Sequence, residues 1–196
     1  MKSTLTKHLA LACVFLFASL GAAHAASSIG YFDTIKKDPA PEPGKEYYLR
    51  YNLMYEKNSW DPTNYWRGSL LPVNTKVTFV SFGDKGMSIQ VVNGGTRLNI
   101  SNSKYTKRSM AEIAKNMLSP NPVPIEKFDK DIQACIKSGT LKLGMTKEQV
   151  IIARGYPPGH KTPSLDGDTW TYWSSRFVVI TYVFEGGVLS KGRGLE

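Results

Sequence analysis

The chain has 196 residues, with 25 lysines and arginines against 16 acidic residues, a formal charge of +9. It has two cysteines and three histidines, and only Cys135 and His160 lie beyond residue 25. That excludes a disulfide framework and most thiol, zinc and histidine-triad chemistry, each of which needs a second such residue or a defined partner set.

The N-terminus reads as a secretory signal. Lys2 and Lys7 form a basic n-region, and Leu9 to Ala23 is apolar apart from Ser19 and Gly21. Ala23-His24-Ala25 supplies small residues where a signal peptidase reads. The apolar run falls short of the roughly 20 residues that span a bilayer, so cleavage near Ala25 is expected, with a periplasmic location. Ala10-Leu11-Ala12-Cys13 has a loose lipobox character, but the apolar run continues past Cys13, so lipidation is not expected. Without Lys2 and Lys7 the net charge is about +7. The basic residues are spread along the chain, which suits a solubilising surface. An anionic envelope surface or cell-wall polymer is a further partner class, and nucleic acid is not expected.

Residues 26–44 carry Pro39, Pro41 and Pro43 and read as an extended tether. From Glu46 to Glu56, Tyr47, Leu49, Tyr51, Leu53 and Tyr55 share one face, with Arg50, Asn52 and Glu56 on the other. This alternation predicts a half-buried strand. A loop from Asn58 to Gly68 follows, then strands at 76–82, 87–92 and 97–100. Gly83-Asp84-Lys85-Gly86 and Asn93-Gly94-Gly95 separate them, as hairpin turns require. Residues 45–118 are therefore expected to form a small antiparallel β-barrel with a trailing helix. Ser109 and Glu112 have capping-box spacing at the start of that helix. Pro120, Pro122 and Pro124 then mark a domain boundary.

Residues 125–196 read as a second unit. Ile125, Phe128, Ile132, Cys135 and Ile136 recur at helical spacing, with Gly139 as the stop. Cys135 falls on the apolar face, as an inert buried thiol does. Thr146 and Gln149 repeat the capping-box spacing, flanked by Met145 and Val150 as a hydrophobic staple. Three strands are expected at 169–175, 176–184 and 188–191. Helix, helix, then three strands imply an antiparallel sheet covered on one face, an α+β arrangement.

These residues carry a resemblance. Gly144-Met145-Thr146-Lys147-Glu148-Gln149-Val150 followed by Gly155-Tyr156-Pro157 resembles the central motif of the BamE-like (SmpA/OmlA) domain. Trp170-Thr171-Tyr172 is similar to that family's W-x-Y strand, and Phe184-Glu185-Gly186-Gly187-Val188 to its final hairpin. The resemblance covers about 128–194 and implies an ααβββ fold of the outer-membrane periphery, serving assembly or integrity of the envelope. It implies no catalysis, no metal and no cofactor. Gly144, Met145, Thr146, Gln149, Val150, Gly155, Pro157, Trp170, Tyr172, Phe184 and Gly187 have structural roles in it. This chain departs from the family's lipoprotein member in lacking a cysteine at the expected mature start and in carrying the preceding hundred residues. Gly68 to Val77 resembles a step in bacterial SH3-like barrels, which bind cell-wall peptides or glycans.

Two readings of the 58–68 loop stay open. Trp60, Tyr65 and Trp66, with Asp61 and Arg67, can form an aromatic ligand groove, or the rings can close the end of a small barrel. Asp166-Gly167-Asp168 offers too few oxygen ligands for a cation. Glu126, Asp129 and Asp131 point to different sides of a helix. The expectation is a non-enzymatic interaction module whose second unit docks on an envelope protein through the exposed face of its sheet or the loop from Pro158 to Asp168. A peptidoglycan-binding protein and an inhibitor of an exported enzyme are the alternatives.

Overall fold

A computed structural model describes residues 28–175 and 177–195. The expected signal peptide, its cleavage site and Cys13 lie outside the described residues. The fold is mixed α+β, with four α-helices and three sheets among the described residues.

The first correction concerns the tether. Tyr31–Lys37 is a helix, α1, which buries Tyr31 and Ile35 one turn apart. Both of its ends are held. The Glu148 carboxylate accepts from Ser28 Oγ at 2.9 Å and from the backbone N–H groups of Ile29 at 3.0 Å and Tyr31 at 3.2 Å. At the far end Asp38 pairs with the buried guanidinium of Arg50. The three prolines follow this helix, so composition alone concealed an i, i+4 apolar pair.

The expected first strand is broken into two. β1 (Glu46–Leu49) and β2 (Leu53–Tyr55) join different sheets. The apolar face is as expected, with Tyr47, Leu49, Tyr51 and Leu53 buried. The polar face is not solvated: Arg50 and Asn52 are buried as well. Arg50 Nε donates to the Leu118 and Lys115 carbonyls at 3.1 and 3.3 Å, besides its pair with Asp38. Buried polar groups must be hydrogen-bonded, and the kink is where this strand supplies those bonds.

β3 (Ser59–Trp60), β5 (Lys76–Gly83), β6 (Gly86–Val91), β7 (Arg97–Ser101) and β8 (Leu118–Ser119) complete a six-stranded sheet in the order β3-β7-β6-β5-β1-β8. All pairs are antiparallel except β3 with β7. β2 pairs with β4 (Ser69–Leu71), and a bridge between Glu56 and Ser59 links β2 to β3. The Gly83–Gly86 turn is a tight hairpin, as its glycines predict.

Helix α2 (Met110–Met117) starts with the expected capping box. Ser109 accepts from the Glu112 N–H, while Glu112 accepts from the Ser109 N–H at 2.7 Å and hydroxyl at 2.8 Å. Those bonds hold the Glu112 carboxyl below its ordinary range, the backbone bond foremost. A depressed folded pKa gives stability that is present above the unfolded value and is lost as pH falls through the folded one. Ser109→Ala should therefore cost about 1 kcal/mol at neutral pH. Urea melts should show that gap narrowing as pH falls below the ordinary carboxylate range. A gap that stays constant with pH would show that the Ser109 hydroxyl contributes nothing to the Glu112 shift and that the surviving backbone bond carries it.

The expected boundary at 119–124 is not a loose linker. Ser119 is paired in β8, and Val123 is buried. Its N–H donates to Asn74 Oδ1 at 2.7 Å and its carbonyl accepts from Asn74 Nδ2 at 2.8 Å. The prolines end α2 as they must, but the segment stays on the body of the protein. The buried apolar residues of both halves form one cluster, from Tyr31 to Leu189.

The second half follows its expected order: a 3-10 turn at Ile125–Lys127, α3 (Lys130–Ser138), α4 (Lys147–Arg154), β9 (Thr169–Ser175), β10 (Val178–Glu185) and β11 (Val188–Lys191). The sheet order is β11-β10-β9, antiparallel throughout. Thr146 and Gln149 cap α4 reciprocally. Met145, Val150, Trp170, Tyr172 and Phe184 are buried, and Gly144, Gly155 and Gly187 have the positive φ of turn residues. Pro157 turns its carbonyl to Arg108 Nη1 at 3.2 Å.

The C-terminus of α4 joins the halves. The last four carbonyls of a helix have no partner within it. Here Ile151 O accepts from the Gly155 N–H, and Ile152 O from the Asn52 N–H. Ala153 O accepts from Asn52 Nδ2 and Arg154 O from Asn64 Nδ2. Three of the four partners come from the first half of the chain.

Candidate functional site

The 58–68 loop is built by its own side chains. Asp61 Oδ1 accepts from the Thr63 N–H and hydroxyl at 2.8 and 2.9 Å, an Asx turn. The next residue, Asn64, takes a left-handed φ of 61° and sends its amide to Arg154 O and Tyr156 O. That turn sends Trp60 and Trp66 into packing and leaves Asp61, Tyr65 and Arg67 around one cleft. Trp60 is 4 % exposed and leans on Tyr51, with ring centroids 6.3 Å apart. Trp66 is half-buried, with the Arg154 guanidinium 4.5 Å above its ring. Burial lowers the Arg154 pKa, and the ring face supplies the attraction that a carboxylate otherwise would. Trp60 and Trp66 are thus packing residues, and the single groove expected from the sequence is not formed.

Tyr65 remains at the surface and lines two clefts. One, of about 240 Å³, is bounded by Met54, Glu56, Ser59, Asp61, Tyr65 and Arg67, and carries the Glu56–Arg67 ion pair at 2.8 Å. The other is larger, about 420 Å³, and lies where the halves meet. Thr63, Tyr65, Tyr105, His160, Lys161 and Trp173 line it.

This second cleft is an assembly of ring faces. His160 stacks on Trp173 with centroids 6.0 Å apart and planes 17° from parallel. Tyr105 lies 5.0 Å from His160, and Tyr65 lies 6.2 Å from Trp173. The Lys161 ammonium lies 5.7 Å from the Trp173 ring centre and Lys104 5.3 Å from that of Tyr105.

Backbone bonds fix the rings. The His160 N–H donates to Tyr105 O at 3.1 Å, and the Gly159 N–H to Thr106 O at 3.2 Å. His160 Nδ1 is 3.0 Å from the same Tyr105 carbonyl, which can only accept, so Nδ1 carries the proton. A β-carbon on Gly159 would lie 2.4 Å from Thr106 O, so only glycine permits this approach. Thr106 is buried and bonds Asn102 Oδ1 at 2.7 Å, which ties the 102–108 loop to itself. Trp173 sits opposite Val179 on the outer face of the hairpin, while Trp170 and Tyr172 point into the core.

Sequence reasoning offered the 158–168 loop, with His160 and Lys161, only as a docking surface, and missed Tyr105 and Trp173. Strand parity was the available signal: residues 170, 172 and 174 share one face of β9, so a core set by Trp170 leaves Trp173 outside. The contact between the 102–108 and 158–162 loops had no local signature.

The chain matches no family model, no curated protein and no solved structure.

Proposed function

We propose that this chain is a non-enzymatic binding module of the cell envelope, exported and acting in the periplasm. Its ligand is held in the cleft lined by Tyr65, Tyr105, His160 and Trp173. The observation that carries this reading is that cleft: ring faces gathered from three separate loops and a strand, with backbone bonds holding them open to solvent. Burial alone does not account for half-buried and exposed rings held at fixed spacing around one cleft, whereas such faces bind sugar rings and proline-rich peptides. The basic, apolar and small-residue layout of residues 1–25 supports export.

The SH3-like and BamE-like likenesses belong to the same proposal. The kinked strand of β1 and β2, with β5, β6, β7 and β3 between its two ends, supports a small barrel. Two helices followed by β9, β10 and β11 support the ααβββ order. Peptidoglycan is the expected ligand source.

Sedimentation with purified sacculi tests this. Wild-type protein should co-sediment, and Trp173→Ala should lose at least ten-fold in affinity with an unchanged melting temperature, because the ring is on the outer face. Equal binding by the two proteins would move the site elsewhere.

A second reading has its own observation. The tip of the β9–β10 hairpin exposes Phe177 at 87 %, with Val178 and Val179 at 43 and 45 %. Exposed apolar residues at one point favour docking to an envelope protein, as an assembly role requires. A photo-crosslinker at 178 that captures one discrete partner in living cells supports docking, and capture of none counts against it.

A further inference from the structure

The ligand class follows from what surrounds the rings. The 102–108 loop lines the aromatic cleft with Tyr105 and a second pocket with the residues on either side of it. That second pocket, of about 360 Å³, is bounded by Asp84, Lys85, Asn102, Ser103, Lys104, Thr106, Lys107 and Arg108. Across the two, Asp84 is the one carboxylate among the lining residues, against Lys85, Lys104, Lys107, Arg108 and Lys161. Arg108 is already engaged, with Nη1 on Pro157 O and its guanidinium 5.0 Å from the Tyr156 ring centre. Lys104 and Lys161 instead lie over Tyr105 and Trp173.

Each of these two pairs places an ammonium over an aromatic face, where a sugar ring takes its place as the lysine swings to the sugar's acidic group. An acidic sugar needs that combination: the C–H face of its ring stacks on the aromatic, and its anionic group meets the ammonium. A lysine resting on an exposed ring is held weakly. It exchanges that contact for a carboxylate or phosphate without breaking the fold. Two such pairs on neighbouring loops suit consecutive units of a chain better than a single monosaccharide. The backbone at Lys107 takes a left-handed φ of 55°, which a side-chain-bearing residue adopts at a cost, and it turns the basic end of the loop at this place.

We infer that the aromatic cleft and the adjoining basic pocket form one site for an anionic polysaccharide, with sugar rings on Trp173 and Tyr105 and their acidic groups on Lys161 and Lys104. This rests on the binding reading above and names its ligand class.

Calorimetry on the full mature chain tests it with four probes: hexagalacturonate, a phosphorylated maltohexaose, neutral chitohexaose and a twelve-residue oligothymidylate. One or both acidic sugars should bind about ten-fold more tightly than chitohexaose at low salt. Raising the salt should shrink that gap, since exposed charges are screened within about 10 Å at 0.1 M. Whichever acidic probe binds tells a carboxylate source from a phosphate source. The double variant Lys104→Gln, Lys161→Gln should lose the acidic preference about ten-fold and keep its affinity for chitohexaose. Trp173→Ala should weaken both. Chitohexaose binding as tightly as the acidic sugars would overturn the charge inference and leave the binding reading standing. Oligothymidylate binding alone would overturn the polysaccharide class, and no binding by any probe at about 1 mM would overturn the anionic-polysaccharide inference while co-sedimentation with sacculi still decides the binding reading.

Discussion

Asn52→Ala is expected to destabilise the protein by about 3–5 kcal/mol, more than any surface substitution could, because one side chain serves three buried backbone groups. Asn52 is fully buried. Its Nδ2 donates to Ile136 O at 2.6 Å and Ala153 O at 2.9 Å, and its Oδ1 accepts from the Val73 N–H at 2.7 Å. The two carbonyls require the nitrogen on one side and the N–H requires the oxygen on the other, so the amide orientation is fixed by its partners. Alanine leaves the Val73 N–H and the Ala153 carbonyl unpaired where solvent is excluded, each at about 1–3 kcal/mol, and takes the stronger of two bonds from Ile136 O, which keeps the Gly139 N–H at 3.2 Å. Leucine fills the space and should fare no better, since the cost lies in the partners and not in the volume. Aspartate should be worst, because it loses the donor and buries a charge. Urea denaturation of the three variants checks this order. A leucine variant within about 1 kcal/mol of wild type would show that the carbonyls find other donors, and the bridging role of Asn52 would fall.

The same residue shows where the sequence was readable and where it was not. Local rules succeeded wherever a structure satisfies itself within a few positions. The boxes at Ser109/Glu112 and Thr146/Gln149, the Gly83–Gly86 hairpin and the three strands after residue 169 all formed as their spacing predicts. Period-two alternation correctly put Tyr47, Leu49, Tyr51 and Leu53 inside. It failed for Arg50 and Asn52, because alternation assumes water on the second face, and there Arg50 meets the carbonyl end of α2 while Asn52 meets those of α3 and α4. Nothing near residue 52 announces partners at 136 and 153. The candidate site was legible only in part. The sequence placed Trp60, Asp61, Tyr65, Trp66 and Arg67 together because they are adjacent; Asp61, Tyr65 and Arg67 do share one cleft, while Trp60 and Trp66 turn into packing. Tyr65 alone reaches the cleft at the junction, beside rings contributed from residues 105, 160 and 173. Chain neighbours were legible, and contacts between distant loops were not.

Trp170→Ala should cost about 3–5 kcal/mol, the range for emptying a large aromatic site. The indole is fully buried, its centroid is 4.7 Å from that of Phe184, and its Nε1 donates to Leu165 O at 3.3 Å. The Lys147 ammonium lies 6.0 Å from the same ring and 5.6 Å from Phe184, while Lys147 also donates to Asp166 O at 2.9 Å. Removing the ring therefore empties a core position and loosens the 165–168 loop through two of its carbonyls. Trp170→Phe keeps most of the apolar volume and loses the indole bond, so it should cost roughly 1–2 kcal/mol. A domain with about 5–15 kcal/mol in total leaves the alanine variant marginal. How the loss is distributed is the sharper test. One hydrophobic cluster runs through both halves, and α4 takes three of its terminal bonds from the first half. A defect at residue 170 should then lower the protection of amides in β5 and β6 as much as in β9 and β10, because the cooperative unit is the whole chain. Hydrogen exchange resolved by residue reads this directly. If β5 and β6 keep their wild-type protection while β9 and β10 lose theirs, the halves unfold as separate domains, and the cleft between them is a hinge in place of a fixed site.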